Sequence, residues 1–282
     1  MTAKPRSART TLVLDLINHG ALALVALLFL FPFFWMVSNA IRSNAEVLAI
    51  PVRILPNVFQ WGNFIEAWTQ LPFGRFFLNS AIVAVSVTII TVIVSCLSGY
   101  AFARLKFPGR DTLLMAYLGT LMVPAIMLII PLFLIVNNLG MVNTFQGVIL
   151  PVAFGTFGSF LLRQFFLSIP MELEEAARID GASRLRILVS IIVPLSMPAI
   201  GLLSLFTFIA QWNNFLWPLI TTSKPSMQVT TVALASLQGQ FNTDWPLLMT
   251  GSVLAIVPML IVFALGNRSF ISGITTGSFG GR

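Results

Sequence analysis

Six long, uninterrupted apolar runs constrain this chain more than any other feature. They lie at about residues 18–41, 77–102, 112–136, 145–166, 188–208 and 246–265. Each is long enough to cross a hydrocarbon core as a helix, which takes roughly 20 mostly apolar residues. Inside lipid every backbone N–H and C=O must be paired within the protein, and a helix does this within one segment. A membrane barrel would instead alternate apolar and polar residues over strands of about 10 residues. The expected fold is therefore all-α and polytopic, with six transmembrane helices. The charge content agrees: 9% of residues are charged and 57% are hydrophobic, whereas a soluble domain carries about 25% charge. An ordinary soluble enzyme, a disordered chain and a fibrous protein are excluded.

Three regions are predicted: an N-terminal segment, residues 1–17; a six-helix transmembrane domain, 18–266, with an outer loop at 42–76; and a C-terminal tail, 267–282. Lys4, Arg6 and Arg9 precede the first run. That run exceeds a signal-peptide core and no small-residue cleavage site follows it, so a retained helix is expected. Lysine and arginine concentrate on the cytoplasmic side of membrane helices. With the N-terminus in the cytoplasm, twelve of the sixteen basic residues fall on that side, and only Arg42, Arg53, Arg75 and Lys224 fall outside. Both termini are predicted to be cytoplasmic. The net charge of +7 is then a topology signal, and no nucleic-acid partner is expected. Trp61 and Trp68 in the outer loop suit either an interfacial belt or a docking surface for an extracytoplasmic partner.

Several chemistries are missing. The single cysteine, Cys96, and the single histidine, His19, provide neither a disulfide framework nor a metal cluster. Lys4, Lys106 and Lys224 are the only lysines and none follows a glycine, so there is no phosphate-binding loop. This chain is expected to bind no cofactor, and if ATP drives it another subunit must bind the nucleotide. An intramembrane enzyme is a remote alternative, because no run holds a carboxylate well inside it.

The loop between the fourth and fifth runs, residues 167–187, is the most informative stretch. It holds Ser168-Ile-Pro-Met-Glu-Leu-Glu-Glu-Ala-Ala-Arg-Ile-Asp-Gly-Ala-Ser183. Pro170 suits a first helical position, and Glu172, Glu174 and Glu175 favour the positive end of the helix dipole. Leu173, Ala176 and Ala177 share a face. Gly181 can take a positive φ and end the helix, and Ser183 can cap the next one. The expected product is a short amphipathic surface helix, a sharp turn and a second helix. Four of the nine acids of the chain lie in this helix and its turn. A simple connecting hairpin would look similar.

Glu175-Ala176-Ala177, three residues, Gly181, nine residues, then Ile191-Ile192-Val193-Pro194 resembles the Glu-Ala-Ala loop of ABC importer permeases. Valine stands where that family usually has leucine. Phe107-Pro-Gly-Arg110, Asn143-Thr-Phe145, Trp212-Asn-Asn-Phe-Leu-Trp-Pro218 and Gly273-Ile-Thr-Thr-Gly277 extend the resemblance, in order, to the carbohydrate-uptake, maltose-type branch. The resemblance implies a type I ABC importer permease fold and a division of labour. A second, related permease completes the pore as a heterodimer, two ATPase subunits bind ATP and Mg, and a solute-binding protein delivers cargo. It places Glu174, Glu175, Ala176, Ala177, Asp180 and Gly181 in the helix that couples to an ATPase. The tail from Asn267 resembles a second ATPase contact.

Polar groups within a membrane are candidate functional sites. Gln211, Trp212, Asn213, Asn214 and Trp217 form the candidate substrate pathway, since amides bond sugar hydroxyls and aromatic faces stack on pyranoses. An aromatic belt with helix-end capping is the alternative. Pro124 and Pro131 are predicted to kink the third run. The expected cargo is a sugar or oligosaccharide. A glycerophosphodiester or phosphorylated polyol is the alternative, and it would ask for cations or helix N-termini along the pore.

Overall fold

The computed structural model describes residues 8–70, 72–239 and 243–278, with side chains described for 15–69, 72–239 and 243–265. The described residues are helical, apart from turns and one isolated bridge between Gln238 and Thr243. In chain order the helices are α1 (Ala8–Ala40), α2 (Asn44–Val47), α3 (Gly62–Gln70), α4 (Phe73–Arg104), α5 (Arg110–Gly119), α6 (Ile129–Asn138), α7 (Phe145–Ile149) and α8 (Thr156–Ser168). They continue as α9 (Glu172–Ile179), α10 (Arg184–Ile187), α11 (Val193–Leu195), α12 (Met197–Trp212), α13 (Leu216–Thr221), α14 (Thr230–Ser236) and α15 (Trp245–Ser278).

Three of the expected spans are single helices: Asp15–Ala40 in α1, Phe73–Arg104 in α4 and Trp245–Leu265 in α15. The other three are corrected to bent pairs, so six spans result when each pair is taken as one. The third run bends by 91° between Arg110–Met122 and Ala125–Asn138. Pro124 sits at that break; it cannot donate to the preceding turn, and it pushes Val123 into an extended conformation, with φ −83° and ψ 117°. Pro131 lies in the first turn of α6, where its missing N–H matters less. The fourth run bends by 47° between Val152 and Thr156, and the fifth by 80° at Ser196. The fifth bend has a direct cause: Pro198, in the first turn of α12, has no N–H to offer the carbonyl of Pro194. The expected 188–208 span is therefore replaced by Arg184–Leu195 and Met197–Trp212, the first containing a π turn over Leu188–Ile192. At the C-terminal end α15 runs through residue 266 without a break; the tail's side chains and residues 279–282 lie outside the described residues.

The chain divides into two compact units. The first comprises Met1–Leu71 and Leu237–Leu254. Arg42 anchors the start of its outer loop. The guanidinium is 1% exposed, donates to Ser38 Oγ at 3.0 Å and the Arg53 carbonyl at 2.7 Å, and stands 5.1 Å from the Trp35 ring centre. The Asn63 amide donates to the carbonyls of Ala40 and Arg42 at 2.9 and 2.8 Å. The predicted loop is thus folded back on itself and carries α3, with Trp61 and Trp68 exposed.

The second unit comprises Pro72–Ser236 and Ala255–Arg282. One of its buried clusters brings Cys96, Tyr100, Leu162, Phe166, Ile187, Ile192 and Leu203 together, from α4, α8, α10, the π turn and α12. A second unites Val83, Val87, Val136, Val148 and Trp217. Small residues permit this closeness, as in other membrane bundles. A Cβ on Gly158 would fall 2.3 Å from Ser95 Oγ. Hydroxyls add cross-links: Ser98 and Ser159 lie 2.6 Å apart, and Thr91 donates to the Ala153 carbonyl at 2.9 Å. A tight backbone constraint is Gly147, where a Cβ would meet the Met141 carbonyl oxygen at 2.2 Å. Backbone cannot rotate aside as a side chain would. Gly147→Ala is expected to lower stability by roughly 1–3 kcal/mol, the usual cost of overpacking, read as a lower Tm of the purified protein in detergent. An unchanged Tm would remove this close approach from the determinants of the fold.

Candidate coupling loop

The loop between α8 and α10 starts where α8 ends at Ser168. Helix α9 then begins at Glu172, so Pro170 lies just before it rather than at its first position. Glu172, Glu174 and Glu175 occupy the first turn, where the unpaired N–H groups favour negative charge. The helix closes on a Schellman turn: Gly181 N–H donates to the Arg178 carbonyl at 3.0 Å and Ala182 N–H to the Ala177 carbonyl at 2.9 Å. Gly181 takes the left-handed φ of +80°. Ser183 Oγ then accepts the Arg186 N–H at 3.4 Å and caps α10. Turn and cap are both as expected from their residue types.

One residue of α9 departs from the rest. Glu174 was expected among the contact residues, yet its side chain is 0% exposed. Arg104, at the end of α4, supplies the reason: its Nε lies 2.7 Å from Glu174 Oε1. The Tyr100 hydroxyl donates to Oε2 at 3.2 Å, and Arg178 Nη2 does so at 3.3 Å. With a carboxylate turned inward, the helix presents other groups outward. Leu173 is 43% exposed and Ile179 87%; Glu172, Glu175, Ala176, Asp180 and Gly181 are exposed, and Ala177 is half-buried. Apolar, small and acidic groups thus share one outward surface. Arg104 is the residue that sequence reasoning did not connect to this loop; its position at the end of an apolar helix marked it only as a topology charge.

The candidate substrate residues separate into two sets. Trp212 and Trp217 are each 4% exposed. Trp212 donates its indole N–H to the Ala255 carbonyl at 2.9 Å and stacks on Phe208. Trp217 donates to the Val148 carbonyl at 3.1 Å. Both indoles are thus packed within this chain with their N–H groups paired. Asn213 donates to the Ile209 carbonyl at 2.9 Å and serves the end of α12. Asn214 donates to Gln211 Oε1 at 3.2 Å. Gln211 lines a cavity of about 270 Å³ with Thr91, Phe157, Phe206 and Thr207. His19 lies exposed in α1, and Cys96 is a buried free thiol. Among the described residues no group of three or more potential ligands could hold a metal.

Residues 96–272 match the family described as the binding-protein-dependent transport system inner membrane component. The chain belongs to this family of membrane permeases. It is 34% identical over 269 residues to the sn-glycerol-3-phosphate transport system permease protein UgpE of Pectobacterium atrosepticum, spanning 93% of this chain and 96% of that one. It is 33% identical over 267 residues to the diacetylchitobiose uptake system permease protein NgcG of Streptomyces coelicolor, spanning 93% and 88%. Among solved structures, the chain is similar to one from a bacterial ABC transporter involved in the import of the acidic polysaccharide alginate. The TM-score is 0.84 at 25% identity, with 95% of this chain and 100% of that chain covered. The type I ABC importer permease fold implied by the resemblance is therefore the fold observed. As a permease component the chain is a transport subunit and not itself an enzyme.

Proposed function

We propose that this permease forms one half of the membrane pore of a prokaryotic ABC importer for a sugar or oligosaccharide. A second, related permease forms the other half. Two ATPase subunits, with ATP and Mg, dock beneath, and an extracytoplasmic solute-binding protein delivers cargo. The basic-residue asymmetry supports cytoplasmic termini, and with them an α8–α10 loop on the ATPase side. The observation that carries the coupling role is the outward surface of α9. Leu173 and Ile179 stand exposed beside Glu172, Glu175 and Asp180, a surface with both apolar area to bury and charges to pair. Alanine at 176 lets a partner approach the backbone closely.

For the cargo, the lining of the Gln211 cavity carries no charge: Thr91, Thr207 and Gln211 supply hydroxyl and amide groups among Phe157, Phe206 and aliphatic neighbours. That set suits a neutral polyhydroxylated molecule. The relatedness to a glycerol-3-phosphate permease favours a phosphorylated polyol as the second reading. The test is the purified transporter, reconstituted with its own partner permease, ATPase and solute-binding protein. A neutral di- or oligosaccharide is expected to stimulate ATP hydrolysis and enter the vesicles. Stimulation by sn-glycerol-3-phosphate alone would replace the carbohydrate reading with the second one.

A further inference from the structure

Glu174 is an unusual residue for a surface loop: a carboxylate with no exposure, in a chain with only nine acids. Burying an ion is unfavourable unless it is paired and hydrogen-bonded. Here an ion pair with Arg104 of α4 and hydrogen bonds from Tyr100 of α4 and Arg178 of α9 itself do this. Arg104 does more than neutralise charge. Its Nη2 donates to the carbonyls of Phe166 and Ile169 at 2.7 and 2.5 Å. Those carbonyls belong to the last turn of α8 and the residue that caps it, where the helix leaves acceptors unpaired. The guanidinium is 6% exposed, and its planar fork is the shape that serves several acceptors at fixed angles. One cation therefore joins the end of α4, the end of α8 and the first turn of α9.

We propose that Glu174 and Arg104 are positioning residues that clasp the coupling helix to α4 and α8. This rests on the reading of α9 as the ATPase-docking element. The outward surface of α9 receives the push, and the inward Glu174 transmits it. Without the clasp, α9 keeps the short connection around Pro170, the turn at Gly181 and the packing of half-buried Ala177 against the buried cluster. None of these is a directional polar contact that fixes the helix against rotation, and rotation absorbs a displacement that should reach α4 and α8. The clasp turns a hinged helix into a lever fixed at its base.

The test uses the assembled, reconstituted transporter and reads substrate molecules imported per ATP hydrolysed. Glu174→Gln keeps the shape and removes the charge. It is expected to lower that ratio at least about fivefold, the lower end of typical coupling between sites. ATP hydrolysis itself continues, and amide exchange in residues 172–182 is expected to accelerate. An unchanged ratio with Glu174→Gln overturns the clasp. If that variant does not assemble, Arg104→Lys is read in the same assay. Lysine still meets Glu174 but cannot also reach both carbonyls, so the ratio is again expected to fall, and an unchanged ratio overturns the proposal. A purely structural role would lower the amount of complex and leave the ratio of the surviving complex unchanged. The wild-type transporter distinguishes this from failure of the carbohydrate reading, because its cargo is read before any variant is compared.

Discussion

Gly181→Pro is expected to abolish ATP-driven uptake while leaving the protein in the membrane. The glycine holds a φ of +80°, and the proline ring fixes φ near −65°. The substitution also removes the N–H that donates to the Arg178 carbonyl. The turn must open, and with it the chain direction from α9 into α10 changes. A Cβ at this position would meet nothing within 4 Å, so backbone conformation is the constraint and not space. Gly181→Asn, which enters the left-handed region more readily than other side-chain-bearing residues, is expected to retain much of the uptake. Vesicle uptake normalised to the amount of permease in the membrane distinguishes the outcomes. Wild-type transport by Gly181→Pro would remove this turn from the coupling apparatus.

Trp217→Ala is expected to be the most destabilising single replacement among the candidate pathway residues, by about 3–5 kcal/mol. It would empty a site among Val83, Val87, Val148 and Val229 and leave the Val148 carbonyl without its indole donor. Trp217→Phe restores most of the volume and is expected to recover much of the loss. Thermal unfolding of the purified transporter checks both. A Trp217→Ala protein with unchanged Tm and a raised substrate KM would return this residue to the pathway.

Local chemistry is what the sequence made readable. The six runs followed from lipid's intolerance of unpaired backbone. Gly181 and Ser183 were recognisable because a left-handed turn and a helix cap each favour few residue types. Pro124 announced its bend for the same reason. The bend at Ser196 was missed although Pro198 was visible, since proline in a membrane helix is often accommodated by neighbouring groups. The burial of Glu174 was hidden for a different cause. Its neighbours Glu172 and Glu175 are exposed, and it is Arg104 and Tyr100, some seventy residues earlier, that meet Glu174 on the inward side. A buried ion pair between distant segments has no local signature. The tryptophans were open for a similar reason: an indole suits a sugar, an interface or a core equally well, and its sequence context does not show where its N–H acceptor lies.

The long N-terminal helix has a consequence in time. Residues 15–34 of α1 are exposed along their whole length, so this stretch draws no support from side-chain burial within its own chain. Its order depends on lipid and on its internal backbone bonds, both of which are present as soon as the segment leaves the ribosome and enters the bilayer. α1 can therefore be complete before α4 is made, and maturation of the subunit begins with a finished helix rather than an unfinished core.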